Sequence, residues 1–514
     1  MRSSSGSPVP LFKVRVQEKG RILDIKEVIV RVEGLPTCLN GQIVDLGKDV
    51  KGIIMGYDEE DVRVLVLGDP GRLRMGSEVS GVSEPFRIPV GEAFIGRMVN
   101  ALGVPMDQAG DIVPDDYLPV LRDSPPMTAR SPVDEFFPTG TKIVDMAIPL
   151  AKGQRQLILG DRITGKTVVA LDAIISQRDT GMVCIYCCVG KSVSSLQKVV
   201  TTLSETRSRA HTIVMVAWDS SPVGEQYLVP FSAASMADHF ASKGRDVLIV
   251  FDDLTKHAWA YRQLSLLLER PPGREAYPGD IFYVQTQLME RAGRFSREHG
   301  GGSMTFIGIA ETIQGDLTGY IPSNLASMCD GQIFMSSAIF GEGVRPAVDL
   351  SLSLSIVGGR VQPRILRDLA GTLRADYAQY IEFVKLSRLQ AGLSEGAQRS
   401  VRKAEAIISV FQQAQFAPVS LAEQVLLLYA LHTGRLTDLS EVDRRRFCRE
   451  IFVFARKKHE ALLEQIESRG EMTVTIRRGL SEIMEAYFAA FDPTGVQVHV
   501  RGGEEREAAA GEPG

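Results

Sequence analysis

The sequence predicts a multidomain chain with an N-terminal antiparallel β-barrel, a central α/β domain and a C-terminal α-helical domain. The first observation is the length of 514 residues, which allows about three domains at roughly 150 residues each. The second is the hydrophobic periodicity, which changes twice along the chain. The third is the composition, with 44% hydrophobic and 24% charged residues, which is typical of folded globular domains.

The predicted domain boundaries follow the changes in period. Between residues 11 and 87, short alternating runs are separated by Gly, Asp and Pro clusters, which is typical of barrel strands. Between residues 88 and 362, apolar runs such as Val247–Phe251 alternate with helical patterns, which indicates parallel strands covered by helices. The period is helical from 363 to 493. Residues 494–514 are expected to form a disordered tail, because they have little to bury.

Charge and hydropathy exclude two classes of partner. The net charge of -5 gives no general attraction to nucleic acid, so no nucleic-acid partner is expected. No apolar run reaches the ~18 residues that span a bilayer, and no signal-peptide pattern follows the N-terminus. We expect a cytoplasmic chain without direct membrane insertion, which reaches a membrane only through partners.

The six cysteines do not predict a metal site. Cys184 and Cys187 have C-x-x-C spacing, but no second Cys or His pair stands nearby to complete four zinc ligands. We interpret the apolar run around them as a buried parallel strand.

The strongest chemical signal is a G-x-x-x-x-G-K-T phosphate loop between an apolar strand and a helical run. In such a loop the backbone N–H groups and the positive helix end bind phosphate. Lys166 is expected to reach the β- and γ-phosphate oxygens, and the Thr167 hydroxyl to bind Mg²⁺. The motif predicts a RecA-like P-loop domain that binds ATP or ADP with Mg²⁺, whereas an incidental Gly-rich turn is disfavoured by the strand-loop-helix context. The loop residues are Gly160, Asp161, Arg162, Ile163, Thr164, Gly165, Lys166 and Thr167.

A second acidic element supports the phosphate loop. The apolar run Val247–Phe251 ends in Asp252 and Asp253, and the carboxyl ends of parallel strands are where α/β sheets bind ligands. Asp252 is therefore the predicted second Mg²⁺ ligand, directly or through a water molecule. Many strands end in Asp, so this element is informative only together with the loop.

These motifs resemble the alpha subunit of F-type rotary ATP synthases, from about Gly20 to Phe491. The resemblance is carried by the G-D-R-x-T-G-K-T loop, Asp252-Asp253-Leu254, the stretch Pro271–Asp280, and Pro346-Ala347-Val348-Asp349 followed by Ser353 and Ser355. It implies a hexamer in which alpha chains alternate with beta-type catalytic subunits around a central gamma shaft, joined to a membrane sector by shaft and stator. It also implies a peripheral position on the cytoplasmic face of a bacterial cell membrane.

The resemblance assigns further residues to the nucleotide. Phe340, Arg345 and Pro346 are expected near the adenine, and Gln413 and Gln415 match a pair in the helical domain that closes over the same nucleotide. From the residues alone, Phe340 could equally be core packing, and the two glutamines would be interpreted as a solvated loop.

One position predicts that this chain does not hydrolyse its nucleotide. Hydrolysis needs a carboxylate that orients the attacking water, and beta subunits place a Glu after the strand that follows the phosphate-loop helix. Lys191 stands there in this sequence, and a charged ammonium cannot accept a proton. The resemblance therefore implies a regulatory, non-catalytic subunit of a complex that makes ATP from ADP and phosphate with an ion gradient, or runs in reverse.

Three residues depart from the family pattern. Alpha subunits usually carry Gln at the positions of Ile163 and Lys191. Their arginine finger, worth ~10³ to 10⁵ in rate, lies in a Ser-Arg-Val-Gly segment that here contains Ile356. Arg360 is the nearest substitute, roughly 13 Å further along an extended chain, so it would need the loop to fold back.

The departures leave alternatives open. The short N-terminal segment and Ile163 suggest a divergent, alternative bacterial form in which stator attachment differs. Ile356 favours a structural nucleotide-binding subunit in a weakly active complex. A stand-alone hexameric P-loop ATPase would need its own catalytic Glu and arginine finger, and both are missing from the expected positions.

Overall fold

The computed structural model describes residues 17–48, 50–379 and 395–491. Contacts divide the chain into two compact units, one of residues 1–374 with 411–420 and one of residues 375–410 with 421–514. The predicted tail, residues 494–514, lies outside the described residues. In the described part of the chain, no helix is both long enough and apolar enough to cross a membrane.

The N-terminal strands form a closed antiparallel barrel in the order β1-β2-β5-β4-β3-β6. Val30, Val32 and Val64 point into its core, whereas Ile29 and Leu65 belong to the core of the α/β region, so alternate residues serve two cores. Closure leaves no unpaired sheet edge. The strands are β1 Gln17–Lys26, β2 Ile29–Glu33, β3 Gln42–Asp45, β4 Lys51–Tyr57, β5 Val62–Leu67 and β6 Glu78–Pro85.

The central region contains a ten-stranded sheet with helices packed on it. Its strands and the short paired strands beside it are β7 Arg87–Val90, β8 Met98–Asn100, β9 Asp116–Pro119, β10 Arg130–Ser131, β11 Phe136–Phe137, β12 Leu150–Ala151, β13 Arg155–Gly160, β14 Val183–Lys191, β15 Thr212–Trp218, β16 Asp246–Asp252, β17 Gly293–Phe295, β18 Ser303–Glu311, β19 Gly331–Met335 and β20 Val348–Ser355. The helices of this region are α1 Lys142–Ala147, α2 Lys166–Ser176, α3 Val193–Glu205, α4 Val223–Ser242, α5 Leu254–Leu267, α6 Ile281–Met289, α7 Tyr320–Met328, α8 Ser337–Gly341 and α9 Arg364–Ala370.

The order of the parallel strands determines where the site lies. The main path is β20-β19-β13-β18-β16-β14-β15-β8, and the pairs from β19 to β8 are parallel. Gly160 pairs with Glu311, and Cys188 pairs with Asp252. The carboxyl ends of β13, β18, β16 and β14 therefore meet at one edge of the sheet, as ligand sites in α/β proteins require.

The strand β14 is buried over nearly its whole length. Cys184, Cys187 and Cys188 lie on it, all buried and all with free thiols. Burial raises the pKa of the Cys184 thiol far above its ordinary value. The prediction of a buried strand is confirmed, and among the described residues no group of three His, Cys, Asp or Glu side chains could hold a metal ion.

The second unit is helical. Helix α12 begins after Ser440, whose hydroxyl accepts the backbone N–H of Asp443 at 3.2 Å, an ordinary N-cap. The rings of Phe447 on α12 and Tyr487 on α13 pack edge to face with centres 5.3 Å apart. The helices are α10 Glu395–Phe411, α11 Leu421–His432, α12 Glu441–Arg469 and α13 Val474–Ala490.

Candidate functional site

The phosphate loop joins β13 to α2, as the sequence predicts. A Cβ atom on Gly160 would clash with the carbonyl oxygen of Met335, so the close approach of β19 requires glycine there. Gly165 has φ +98 and directly precedes α2, a left-handed conformation that glycine adopts without strain. Ile163 has φ +66 and its side chain is 86% exposed, which is an unusual conformation for a β-branched residue.

Lys166 lies inside the loop. Its ammonium donates hydrogen bonds to the carbonyl oxygens of Gly160 at 2.8 Å and Asp161 at 2.6 Å. Burial lowers its pKa, against the opposing charges of Glu311, Asp253 and Asp252. The cation predicted to bind phosphate is thus held at the centre of the loop.

The neighbouring charged residues hold the loop in place. The Asp161 carboxylate accepts the Thr312 hydroxyl at 2.7 Å and the Gly315 backbone N–H at 2.8 Å. Arg162 donates through Nε to Glu311 at 3.1 Å. Asp161 is therefore held by the segment that follows β18, and Arg162 by the last residue of that strand. The Thr164 hydroxyl donates to the Asp161 carbonyl at 2.9 Å.

Asp252 is the centre of a buried polar cluster. Its Oδ2 accepts the Thr167 hydroxyl at 2.8 Å and the Tyr186 hydroxyl at 2.7 Å. The same oxygen lies 2.5 Å from the Lys191 ammonium, which also donates to Thr167 Oγ1 at 3.2 Å. Burial would lower the pKa of Lys191, but the charge and hydrogen bond of Asp252 outweigh it and raise that pKa. Lys191 is therefore a cation at neutral pH.

The oxygen atoms of Asp252 and Thr167 are suitable ligands for Mg²⁺, but the Lys191 ammonium lies against both of them. A carboxylate and a hydroxyl are the ligands that this ion prefers. Lys191 already contacts both predicted ligand atoms, and the other Asp252 oxygen, Oδ1, is enclosed and has no hydrogen-bond partner in the described chain. The assignment of Mg²⁺ to Thr167 and Asp252 remains a prediction, and the arrangement does not fit the ion while the ammonium stands there.

Asp253, the second aspartate of the pair, is buried beside Asp252. Burial, together with the negative charge of Asp252, raises the pKa of Asp253 to about 7. Its carboxyl accepts the backbone N–H of Lys256 at 2.7 Å and caps α5. The second aspartate thus caps a helix, and its carboxyl is partly protonated at neutral pH.

The residues assigned to the adenine meet in one cavity beside the phosphate loop. It encloses about 350 Å³, open mouth included, and Thr164 and Gly165 form its phosphate-loop end. The Arg345 guanidinium stacks over the Phe340 ring, 4.6 Å from its centre. The cavity lies within the first unit, and the predicted residues that line it are Phe340, Arg345, Pro346, Gln413 and Gln415.

The two glutamines have different surroundings. Gln413 accepts the Lys142 backbone N–H at 2.9 Å and donates to the carbonyls of Gly140 at 2.8 Å and Ala417 at 2.9 Å. Gln415 is exposed and makes no hydrogen bond within the described part of the chain. Gln413 therefore anchors the segment 411–420 to the first unit, and Gln415 is the glutamine whose amide is available to a ligand.

With this geometry established, comparison with known proteins decides the family. Residues 15–82 match the ATP synthase alpha/beta family, beta-barrel domain, and residues 140–355 match that family's nucleotide-binding domain. Residues 362–487 match the ATP synthase alpha/beta chain, C terminal domain. The chain belongs to the ATP synthase alpha/beta family. The resemblance and the three-part fold class predicted from the sequence are confirmed.

Several similar members of the family carry the name ATP synthase subunit alpha. The one from Lactiplantibacillus plantarum is 40% identical over 482 residues, which cover 94% of this chain and 95% of the relative. The one from Caldanaerobacter subterraneus is 38% identical, with coverage of 93% and 95%. The one from Petrotoga mobilis is 37% identical, with coverage of 93% and 95%.

The segment that resembles the family's arginine-finger segment ends β20 at the surface. Ile356 is 70% exposed, and its backbone N–H donates to the Asp330 carbonyl at 2.8 Å, which holds the backbone in place. Arg360 ends the short turn Gly358–Arg360, is exposed, and forms no ion pair in the part of the chain that the structure describes. An apolar side chain therefore stands at the position that the resemblance assigns to the arginine finger.

Three residues near the site are absent from the sequence-based set. Glu311 ends β18 as Asp252 ends β16, so the same rule of strand ends would have found it. Tyr186 lies in the middle of an apolar strand and carries no local signal. Asp172, on α2, is buried in the cavity wall with Oδ1 unpartnered, and burial raises its pKa to about 7.

Proposed function

We propose that this chain is a regulatory, nucleotide-binding, non-catalytic alpha subunit of a membrane-associated ATP synthase. Its relatives named ATP synthase subunit alpha support this proposal along nearly the whole chain. ATP or ADP binds with its phosphates at residues 160–167 and its adenine between Phe340 and the exposed Gln415. The complex is an ion-transporting two-sector ATPase, a translocase that couples an ion gradient to ATP synthesis or runs in reverse.

The Lys191 ammonium is the observation that carries the non-catalytic assignment. It lies 2.5 Å from Asp252, at the position where a catalytic site needs a carboxylate to orient water. Glu311, another carboxylate near the loop, is paired with Arg162 at 3.1 Å. No free general base faces the phosphates among these residues, so the chain holds its nucleotide without turnover.

Partners and location follow from the proposed subunit role. The chain alternates with beta-type catalytic subunits in a hexamer around a gamma-type shaft, and it contributes one wall to each catalytic site. Shaft and stator connect the hexamer to the membrane sector, which places the chain peripherally on the cytoplasmic face of a bacterial cell membrane. Nucleotide binding in this chain then has a regulatory effect through the shared walls.

The second candidate is a structural nucleotide binder in a weakly active complex. It is favoured by Ile356, whose side chain is 70% exposed and cannot stabilise developing phosphate charge. A stand-alone hexameric ATPase is disfavoured by the same residue together with Lys191.

ATP hydrolysis tests the choice. The chain is purified alone and together with its cognate beta-type and shaft subunits, and phosphate release is measured. Activity of the assembly with none from the lone chain supports the synthase subunit. A silent assembly that retains bound nucleotide supports the structural candidate, and turnover by the lone chain overturns the non-catalytic assignment.

A further inference from the structure

The Lys191 ammonium occupies a defined point between two side chains of the phosphate site. It lies 2.5 Å from Asp252 Oδ2 and 3.2 Å from Thr167 Oγ1. In phosphate-loop proteins a Thr hydroxyl and an Asp carboxylate of this kind hold Mg²⁺. The protein's own cation therefore contacts the same two oxygens as the expected metal.

The ion and the ammonium compete for this place. A Mg²⁺ ion at about 2.1 Å from both oxygens could stand no more than about 4 Å from the Lys191 nitrogen, whichever side of the pair it took. The two cations would repel each other inside a largely buried cluster. The Thr167 hydroxyl gives its proton to Asp252 and accepts from Lys191, so its proton and one of its two lone pairs are already engaged.

The surroundings keep the ammonium in place. Lys191 is the last residue of β14, beside β16, and its side chain is 21% exposed. Tyr186, on β14 as well, donates at 2.7 Å to the same Asp252 oxygen and fixes the carboxylate. An ammonium has three donors, and Asp252 and Thr167 take two of them. The third would be available to a phosphate oxygen if a nucleotide were bound.

We propose that Lys191 takes the place of Mg²⁺ at this site, so that the chain binds ATP or ADP without a metal ion. The proposal rests on the nucleotide-binding function proposed above. The anion it recognises is the uncomplexed nucleotide, whose extra negative charge is met by the Lys191 and Lys166 ammonium groups. In this arrangement the Lys191 ammonium supplies the positive charge that Mg²⁺ would otherwise supply.

Nucleotide affinity with and without metal tests the proposal. The full-length chain is titrated with ATP in excess Mg²⁺ and in EDTA, and binding is followed by calorimetry. The wild-type affinity should change less than about threefold, whereas Lys191→Gln, which restores the residue usual in alpha subunits, should bind at least about tenfold more weakly in EDTA and recover with Mg²⁺. Lys198→Gln removes an exposed ammonium from α3 and is the matched control, which should behave as wild type.

Mn²⁺ is a direct probe of the metal position. With ATP present, electron paramagnetic resonance should detect a protein-bound Mn²⁺–nucleotide complex in Lys191→Gln and little in wild type. A wild-type affinity that falls at least about tenfold in EDTA overturns the proposal. The absence of ATP binding by the wild-type chain in both buffers would instead contradict the nucleotide-binding function, so the two failures are distinguishable.

Discussion

The side-chain amide of Gln413 donates a hydrogen bond to the carbonyl oxygen of Gly140 at 2.8 Å, across 273 positions of sequence. Together with the bonds to Lys142 and Ala417, this contact fastens the segment 411–420 beside the phosphate loop. Gln415, two residues later, has none of these bonds. The two glutamines that match one family motif therefore have separate physical tasks.

Substitution of the two glutamines should separate stability from binding. We expect Gln413→Ala to lower the free energy of unfolding by about 1–3 kcal/mol, because it leaves buried backbone groups without partners. Gln415→Ala should leave stability unchanged and weaken ATP binding by about tenfold if its amide contacts the base. Urea denaturation and ATP titration of both variants measure the two effects. Equal losses of stability would contradict the distinction.

Phe340 should carry much of the affinity for the base. Its ring lines the cavity and stacks with the Arg345 guanidinium at 4.6 Å. Stacking of a base on an aromatic ring contributes about 1–3 kcal/mol, so Phe340→Ala should weaken ATP binding by about 5- to 150-fold. Phe340→Tyr keeps the ring and is the control. An alanine variant with wild-type affinity would place the base elsewhere.

Substitution of Ile356 by arginine should restore an arginine finger. In the complex with beta-type and shaft subunits, Ile356→Arg should raise ATP hydrolysis, by up to ~10³-fold if the wild-type complex has no substitute for the finger. Leu354→Arg places the same charge two residues earlier on β20, where the side chain is also exposed, and should not raise the rate.

A variant of Arg360 tests whether this residue serves as the arginine finger in place of residue 356. If the wild-type complex already hydrolyses ATP quickly, Arg360→Ala should silence it, whereas Arg399→Ala, at an exposed position of α10, should not. A fast wild-type complex that survives Arg360→Ala would show that neither residue serves as the finger.

Asp172 should make stability depend on pH. Burial raises its pKa from the ordinary 3.8 to about 7, so the folded chain binds a proton that the unfolded chain has released between those values. The contribution of this carboxyl is fully present below about pH 4 and is lost as pH rises through about 7. Asp172→Asn cannot titrate, so its stability relative to wild type should rise between pH 5 and pH 8.5 in urea denaturation. A constant difference would contradict the raised pKa.

Local signals were sufficient for much of the fold and part of the site. The residues from Gly160 to Thr167 are contiguous, and the preceding strand and following helix have their own periodicity, so no distant contact is needed to predict them. Asp252 was found because it ends an apolar strand. Glu311 ends another and was missed, although the same reasoning applies to it.

Contacts between residues far apart in sequence could not be predicted from these local patterns. The sequence shows that Gln413 and Gln415 are polar, but only the folded chain places one amide on backbone groups of the segment 140–142 and leaves the other exposed. The predicted domain boundaries remain predictions, and the segment 411–420, inside the predicted helical range, packs in the first unit.

By itself the sequence determined the three-part architecture, the phosphate loop and the presence of a lysine rather than a carboxylate at position 191, because periodicity, loop spacing and residue type are local properties of a chain. The tertiary structure decided what Lys191 does instead. Strand order puts β14 beside β16, and that neighbourhood brings the ammonium, the Tyr186 hydroxyl and the Asp252 carboxylate together. Pairing between strands more than fifty residues apart depends on how the whole sheet buries its two faces, which no local pattern encodes.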